Sequence, residues 1–367
     1  MRLAVRELLR RPGRFTVVGG ALTVLVLLLL FLGGLLDGLY LNSSGAVRTL
    51  DADGIVFSDD ARQSFLRSEI TAEQRAEIDE VDGVAETGGL GFALLGVQIP
   101  GTDEVVDGAV VGYELASDEL PEPPGAGEAH ADRQLEDEGA SVGDTVLVGP
   151  AEVPLTIVGF VDDTNYLQQG GLWVEPDTWR SVLAENRPDA VVADGSFQSL
   201  VVRVDEGADV DAVNRAIDDA TGATETLAED AAIDAIPGIT EQNATFTAVI
   251  GVTIFVAGLV IALFFALLTL ERLGLYAVLK AVGGSSRTLI AGVVVQSVVV
   301  AAGAFVLGGL LTLGLLQIVP DGIPLQLESS RALSTLASIT VAAIVGALVS
   351  LRRIVRIDPA SAIGAGA

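Results

Sequence analysis

A short charged segment between two long apolar runs holds the side chains whose types and spacing point most directly to a task. Its charged residues are Glu271, Arg272, Lys280 and Arg287. Apolar residues recur in it at the helical spacing i, i+4 and i+7, at Leu275, Leu279 and Val282. The pattern predicts a short helix with one apolar face, ended by Gly283.

Cations beside an apolar face suit two tasks. A helix of this kind can rest on a lipid surface with its cations at anionic head groups. It can equally be a lever on which a cytosolic protein pushes. The residues by themselves favour neither task over the other.

Residues that commonly carry catalysis are scarce. The chain has one histidine and no cysteine, which nearly excludes the usual pairs of nucleophile and base. No P-loop is present, because the nearest sequence, GGSSRT, lacks both the lysine and the spacing. Adjacent carboxylates at 59–60 and 162–163 are potential cation ligands, but chance pairing explains them in so acidic a chain, and His130 is interpreted as a surface residue. We therefore predict no catalytic site, no bound cofactor and no metal site.

Four uncharged apolar runs dominate the rest of the chain. A helix of roughly 20 residues crosses the ~30 Å core of a bilayer, and even the shortest run is that long. Ala304 and Gly308, in the third run, have the small-residue spacing that permits close helix contact. We predict four transmembrane helices, over residues 15–37, 245–270, 288–319 and 332–351.

The acidic residues are concentrated between the first two runs. Most of the 49 Asp and Glu residues lie in residues 38–244, and the whole chain has a formal charge of −28. Such a segment repels phosphate, so nucleic acid is excluded as a partner. The excess, with a single lysine, is typical of adaptation to very high salt, and favours a halophilic archaeon over a high-GC bacterium as the source.

The distribution of cations gives a topology. Basic residues outnumber acidic ones in three segments, residues 1–14, 271–287 and 352–367. Four spans put all three on one side, which the positive-inside rule makes the cytoplasm. Residues 38–244 and 320–331 then lie outside the plasma membrane. The arginine-rich start and its long apolar run are interpreted as an uncleaved signal anchor.

The outer segment is long enough to form a folded domain. Thr71 and Gln74 form a capping box, which predicts a helix over residues 71–81. Strands are predicted at 145–148, 155–161, 172–174 and 200–204, and a second helix from Val210 to about Gly222. Residues 121–140 lack apolar periodicity and are predicted to be a mobile loop. The predicted fold class is thus an α-helical membrane protein with four transmembrane helices and an α/β extracytoplasmic domain between helices 1 and 2.

Several motifs resemble one known family. ERLGLYAVLKAVGGSS, at residues 271–286, resembles the pattern ER-x-x-E-I-x-x-L-R-A-[IL]-G-A-S of MacB/FtsX-type ABC permeases. Leu275 and Gly284 depart from it, standing where the family has Glu and Ala, so an ion pair at the first position is not expected. LRRIVRIDPASAI resembles the family's basic tail, AVRELLRRPGRF its N-terminal helix, and GASVGDTVLV with LTIVGFVDD two segments of its external domain.

The resemblance implies a permease that depends on a separate ATPase. Two permeases, identical or different, would assemble with cytosolic ATP-hydrolysing subunits that hold ATP and magnesium. The segment 271–287 would be the coupling helix, and its implied contact residues are Glu271, Arg272, Leu275, Leu279, Lys280 and Gly283. ATP-driven motion would reach the outer domain, a process called mechanotransmission, and the expected task is export of a hydrophobic compound, peptide or lipid-linked cargo.

The resemblance leaves two further points open. An extracellular adaptor or substrate-binding partner is compatible with it, as is contact with membrane lipid. The alternative function is an FtsX-like scaffold or regulator of the cell envelope that transports no substrate. An outer-face sensor without any ATPase is a third hypothesis.

Overall fold

The computed structural model describes residues 12–102, 105–190, 192–271, 274, 286–320 and 323–355. The chain divides into two compact units, one of residues 39–242 and the other of the segments on either side. Each unit has its own hydrophobic core.

Among the described residues, helices are the only regular secondary structure of the unit that flanks residues 39–242, whereas residues 39–242 contain both helices and strands. In chain order the described α-helices are α1 (Pro12–Arg48), α2 (Ala72–Asp79), α3 (Arg133–Asp137), α4 (Pro176–Asn186), α5 (Val210–Thr221), α6 (Glu229–Asp234), α7 (Ile239–Glu271), α8 (Ser286–Leu316) and α9 (Ser329–Val355). Short 3₁₀ turns lie at Asp59–Ala61 and Pro188–Ala190.

Strands occur only in the unit of residues 39–242, within the part of the chain that is described. They are β1 (Gly54–Ser58), β2 (Val84–Gln98), β3 (Val105–Tyr113), β4 (Glu128–Asp132), β5 (Thr145–Val148), β6 (Val153–Val161), β7 (Gly170–Val174), β8 (Ser199–Val204) and β9 (Thr224–Leu227).

Four of the described helices, α1, α7, α8 and α9, are long and apolar enough to cross a membrane. Together with the α/β unit between α1 and α7, they confirm the predicted fold class. The helices extend beyond the apolar runs, since α1 continues through Asp37 to Arg48. Hydropathy marks the part of a helix that suits lipid, whereas the helical hydrogen bonds persist in water.

The strands form one sheet in the order β3-β7-β4-β6-β5-β2-β8-β1-β9. Because β3 also pairs with β2, six of the strands close into a ring and have no free edge there. Apolar side chains pack on both faces. In β1, Val56 joins one cluster while Ile55 and Phe57 join the other, as the two-residue period of a strand requires.

The elements predicted from local signals are present. The capping box of α2 is complete, because the Thr71 hydroxyl accepts from the Gln74 amide at 3.2 Å and the Thr71 amide donates to the Gln74 side chain at 2.9 Å. Helix α5 begins at Val210 and is capped at its end by Gly222, whose φ of 61° is left-handed. The four predicted strands correspond to β5, β6, β7 and β8.

The prediction that residues 121–140 form a mobile loop is wrong. Strand β4 and helix α3 lie within them, and β4 is paired on both sides, with β6 and β7. Its buried apolar residues are only Ala129 and Ala131, whose small side chains give too weak a hydropathy signal for a strand. Asp132 caps α3 by accepting from the Gln134 amide at 2.8 Å.

Strands β1, β2, β3 and β9 were not predicted from the sequence. The longest, β2, is rich in glycine, which normally weakens a strand. Here aromatic rings from elsewhere in the chain occupy the missing side-chain volume. The ring of Phe197 lies against Gly89 and that of Trp179 against Gly91, so closely that a Cβ at either position would clash.

The carboxylate pairs weighed as cation ligands have other partners. The Ser58 hydroxyl donates to Asp60 at 2.8 Å, and Arg133 pairs with Asp162, with Nη2 3.3 Å from Oδ2. The Arg133 guanidinium lowers the pKa of the Asp162 carboxyl. Among the described residues no three His, Asp or Glu side chains are grouped to hold a metal ion.

His130, interpreted from the sequence as a surface residue, lies in the sheet with its side chain partly exposed. It is half-buried in β4 and paired with β6 and β7. Burial lowers the pKa of its imidazole, against smaller raising effects of the Glu122 backbone and the Glu128 carboxylate.

The capping box generates a first prediction. Thr71→Ala should lower the free energy of unfolding of the α/β unit by about 1 kcal/mol, because the Gln74 amide loses its acceptor. Thr71→Ser, which keeps the hydroxyl, is the matched control. The chain's two tryptophans, Trp173 and Trp179, are both buried in this unit, so urea unfolding followed by tryptophan fluorescence reports it directly. Equal stability of the Ala and Ser variants would contradict the role of the cap.

A second prediction concerns pH. The folded-state pKa of His130 lies below its ordinary value, so its contribution to stability is present above pH ~6.5 and is lost as the pH falls through the lowered pKa. The same fluorescence measurement on His130→Gln should show a smaller loss of stability between neutral and mildly acidic pH than the parent chain. Carboxylates titrate alike in both proteins and cancel in the difference. Parallel pH profiles would refute the prediction.

Candidate functional site

The candidate site is the connection between α7 and α8. Helix α7 ends at Glu271, whose side chain is exposed, and α8 begins at Ser286. The other predicted contact residues lie outside the described residues, and they are Arg272, Leu275, Leu279, Lys280 and Gly283. What the structure describes is the bundle of helices from which this connection extends.

Helices α1 and α8 meet through the small residues noted in the sequence. A Cβ placed on Gly308 would lie 2.7 Å from Val26 Cγ1 and 3.0 Å from the Thr23 carbonyl oxygen. Ala304, one turn earlier, is buried. The spacing of Ala304 and Gly308 therefore does permit close contact, as glycine and alanine do in membrane helices generally.

Helices α7 and α9 also pack at a glycine. A Cβ on Gly346 would lie 2.6 Å from the Gly258 carbonyl oxygen and 3.1 Å from the Ala262 amide nitrogen. With no side chain between them, the two helices approach to backbone contact. Helix α7, which carries the candidate site at its end, is thus held against α9 at a fixed register.

An ion pair joins α1 to the start of α9. Arg331 Nε lies 3.1 Å from Asp37 Oδ1 and 3.0 Å from Oδ2, and Nη2 reaches the same carboxylate. The Asp37 side chain is 13% exposed and that of Arg331 31% exposed. Charge-assisted bonds with little exposure to water are stronger than those between neutral groups.

The segment before α9 lies along α1 beside this pair. The Gln326 amide donates to the Gly34 carbonyl at 3.0 Å. A Cβ on Gly33 would lie 2.9 Å from Arg331 Cδ, and a Cβ on Gly38 would clash with the Pro324 carbonyl. This contact was not predicted from the sequence, although two signals for it are present: the single acid Asp37 follows the first apolar run, and the single base Arg331 precedes the fourth.

The geometry defines a class of protein. It is a multi-pass membrane protein whose helices make contact at the level of the backbone, with a folded α/β unit inserted after the first helix. Two family models match the chain. The MacB-like periplasmic core domain matches residues 15–220, and the FtsX-like permease C-terminal model matches residues 247–359. The chain belongs to the FtsX/MacB-like family of ABC transporter permeases.

Relatives of known sequence agree with this assignment. The chain is 41% identical over 109 residues to Rv2563, an uncharacterized ABC transporter permease of Mycobacterium tuberculosis, and this match covers 30% of the chain and 31% of the relative. It is 21% identical over 370 residues to HrtB, a putative hemin transport system permease protein of Staphylococcus haemolyticus, over 99% of both chains. Both relatives are named as permeases.

Two solved structures are similar to parts of the chain. The periplasmic region of MacB from Actinobacillus actinomycetemcomitans matches 52% of this chain and 96% of its own length, at 10% identity and a TM-score of 0.36. The extracellular domain of the noncanonic ABC-type transporter YknZ from Gram-positive bacteria matches 47% of this chain and 98% of its own length, at 13% identity and a TM-score of 0.34.

The Asp37–Arg331 pair generates a third prediction. Asp37→Asn should increase amide hydrogen exchange over residues 323–328 by about tenfold or more, because a charge-assisted bond that holds this segment is lost. Glu328→Gln, which neutralises an exposed carboxylate of the same segment, should leave exchange unchanged. Adding Arg331→Gln to Asp37→Asn should have little further effect, since both act on one pair. Additive effects of the two substitutions would show that the residues act independently.

Proposed function

We propose that this chain is the permease subunit of an ABC-type transporter that couples ATP hydrolysis on a partner subunit to work outside the membrane. The observation that supports this proposal most directly is the match to the FtsX-like permease C-terminal model. The match covers most of α7, all of α8 and α9, and the charged connection between α7 and α8. The motif at residues 271–286 supports the same proposal. Residues 271–287 are the coupling helix, and ATP with magnesium is held by the partner.

Each predicted contact residue has a role in this proposal. The sequence pattern predicts that Leu275 and Leu279 lie on the apolar face that would sit in a groove of the ATPase, and that Gly283 would end the helix. Arg272 and Lys280 contact acidic groups of the partner. Glu271 is the last residue of α7 and links the coupling helix to the bundle.

The topology follows from the charges. Residues 1–14, 271–287 and 352–367 lie in the cytoplasm, where the ATPase is, and residues 38–244 and 320–331 lie outside. Two permease subunits, identical or different, assemble with the ATPase, so the complex contains two coupling helices. The acidic outer surface is an adaptation to high salt.

Transport of a cargo is preferred to a purely structural role. The relative that aligns over 99% of both chains is named as a permease of a transport system. By this proposal the chain acts in export, with mechanotransmission through the α/β unit. The alternative is an FtsX-like scaffold that moves no cargo. Such a scaffold would co-purify with an extracellular partner and without a cargo.

The partner can be sought directly. The tagged chain is purified gently from its native membrane in high salt, with ATP trapped, and the co-purifying proteins are identified. We expect a P-loop ATPase at about one copy per permease. A preparation that contains no ATPase would overturn the proposal and favour a helix that merely rests on lipid.

A fourth prediction tests the coupling helix. The double variant Arg272→Glu/Lys280→Glu should lower permease-stimulated ATPase activity about tenfold or more, because two charge-assisted contacts become repulsive. Arg215→Glu, a charge reversal on the exposed face of α5, is the control and should retain stimulation. Membrane insertion, checked by fractionation, should be the same in all three proteins. Full stimulation of the double variant would count decisively against coupling through this segment.

A further inference from the structure

The last turns of α1 bond to a segment outside the helix. The Asn42 carbonyl accepts from the Gln168 amide at 2.9 Å, and the Ala46 amide donates to the Asn165 carbonyl at 2.9 Å. The Ser43 carbonyl accepts from the Leu167 amide at 3.2 Å. Three backbone bonds thus join the helix to residues 163–168, the link between β6 and β7, which we call the clasp.

Glycine makes this approach possible. A Cβ on Gly45 would clash with the carbonyl oxygen of Asp163 and would lie 2.9 Å from the Asn165 amide nitrogen. Position 45 therefore accepts no side chain while the clasp is closed. Backbone strain accompanies the contact, since Asp163, Leu167 and Gln168 all have positive φ, at 53°, 52° and 67°. Residues other than glycine adopt this conformation at a cost, so other contacts must hold the clasp in place.

A buried carboxylate supplies one of those contacts. Asp132 is 2% exposed and lies where β4 ends and α3 begins. Its Oδ2 accepts from both the Thr164 amide at 2.8 Å and the Thr164 hydroxyl at 2.7 Å. The side-chain amide of Asn165, with its nitrogen turned toward Asp132, donates to the same carboxylate at 2.8 Å.

An aromatic side chain supplies a second contact that holds the clasp in place. Tyr166, at the centre of the clasp, is 2% exposed and packs in the core below the sheet. Its ring centroid lies 4.5 Å from that of Phe92 in β2 and 5.9 Å from that of Phe65. The clasp is therefore fixed to the sheet through the Asp132 carboxylate and the Tyr166 ring, and to α1 through its backbone.

We propose that Asp132 is the positioning residue of this clasp, and that the clasp makes the last turns of α1 and the sheet a single mechanical body. Residues 42–48, the clasp and strands β4, β6 and β7 all belong to the compact unit of residues 39–242, so the clasp holds the end of the helix and these strands together. Its use in transport rests on the proposed function, but the clasp itself does not.

Native-state hydrogen exchange on the full chain, in high salt and without any ATPase, tests the clasp. In the parent chain, amides of residues 42–48 and 163–168 should exchange at the rate of the sheet, as one cooperative unit. In Asp132→Ala both segments should exchange about tenfold or more faster while β2 is unchanged, because hydrogen bonds to a carboxylate are lost. Asp137→Asn, which neutralises an exposed carboxylate on α3 outside the clasp, is the matched control and should behave as the parent.

Two further variants keep the test decisive if Asp132→Ala unfolds the unit, which tryptophan fluorescence would reveal. Thr164→Val removes only the hydroxyl donor and should give a smaller increase at the same two segments. Gly45→Ala distinguishes a helix end held by the clasp from a free helix end. In a free helix end, alanine would stabilise the helix relative to glycine, and amide exchange at residues 42–48 would slow. With the clasp closed, the added Cβ meets the Asp163 carbonyl, and exchange should instead rise.

The outcomes are distinct. Unchanged exchange at residues 42–48 in folded Asp132→Ala, or slower exchange in Gly45→Ala, overturns the clasp. Faster exchange confined to the two segments supports it. Loss of ATPase coupling is read separately, from the Arg272→Glu/Lys280→Glu variant, so failure of the proposed function would not be mistaken for failure of the clasp.

Discussion

Backbone contact along α1 is the constraint on which the rest of the structure depends. At Gly34 and Gly38 the helix lies against the segment that precedes α9, and at Gly45 it lies against the clasp. Because no side chain separates the surfaces, their hydrogen bonds and van der Waals contacts hold at one register only. Turning or sliding of the helix at any of these contacts would therefore break bonds there.

The α/β unit has to stay folded while carrying most of the chain's negative charge, and it has no disulfide to help it. Self-repulsion of like charges favours expansion, and high salt screens it. Closure of six strands into a ring removes free edges. Aromatic packing adds to this, with Phe57 and Phe65 at 4.8 Å and Tyr113 and Trp173 at 5.3 Å between ring centroids.

The proposed coupling follows one path through these contacts. By the proposed function an ATPase would push on residues 271–287, which follow from Glu271, the last residue of α7. Helix α7 packs on α9 at Gly346, and α9 is joined to α1 through Arg331 and Asp37. These two contacts hold α7, α9 and the part of α1 before residue 39 at fixed registers.

The sequence by itself determined the four membrane helices, the insertion of an α/β domain and the family, because hydropathy, cation distribution and short motifs are local properties. It also determined α2 through the Thr71 cap. Only the tertiary structure decided that β4 is a strand and that the glycines of β2 are covered by Trp179 and Phe197, since those contacts join residues distant in sequence. The clasp was invisible for the same reason: Asp132 reads as one acid among 49, and becomes distinctive only because folding buries it beside Thr164.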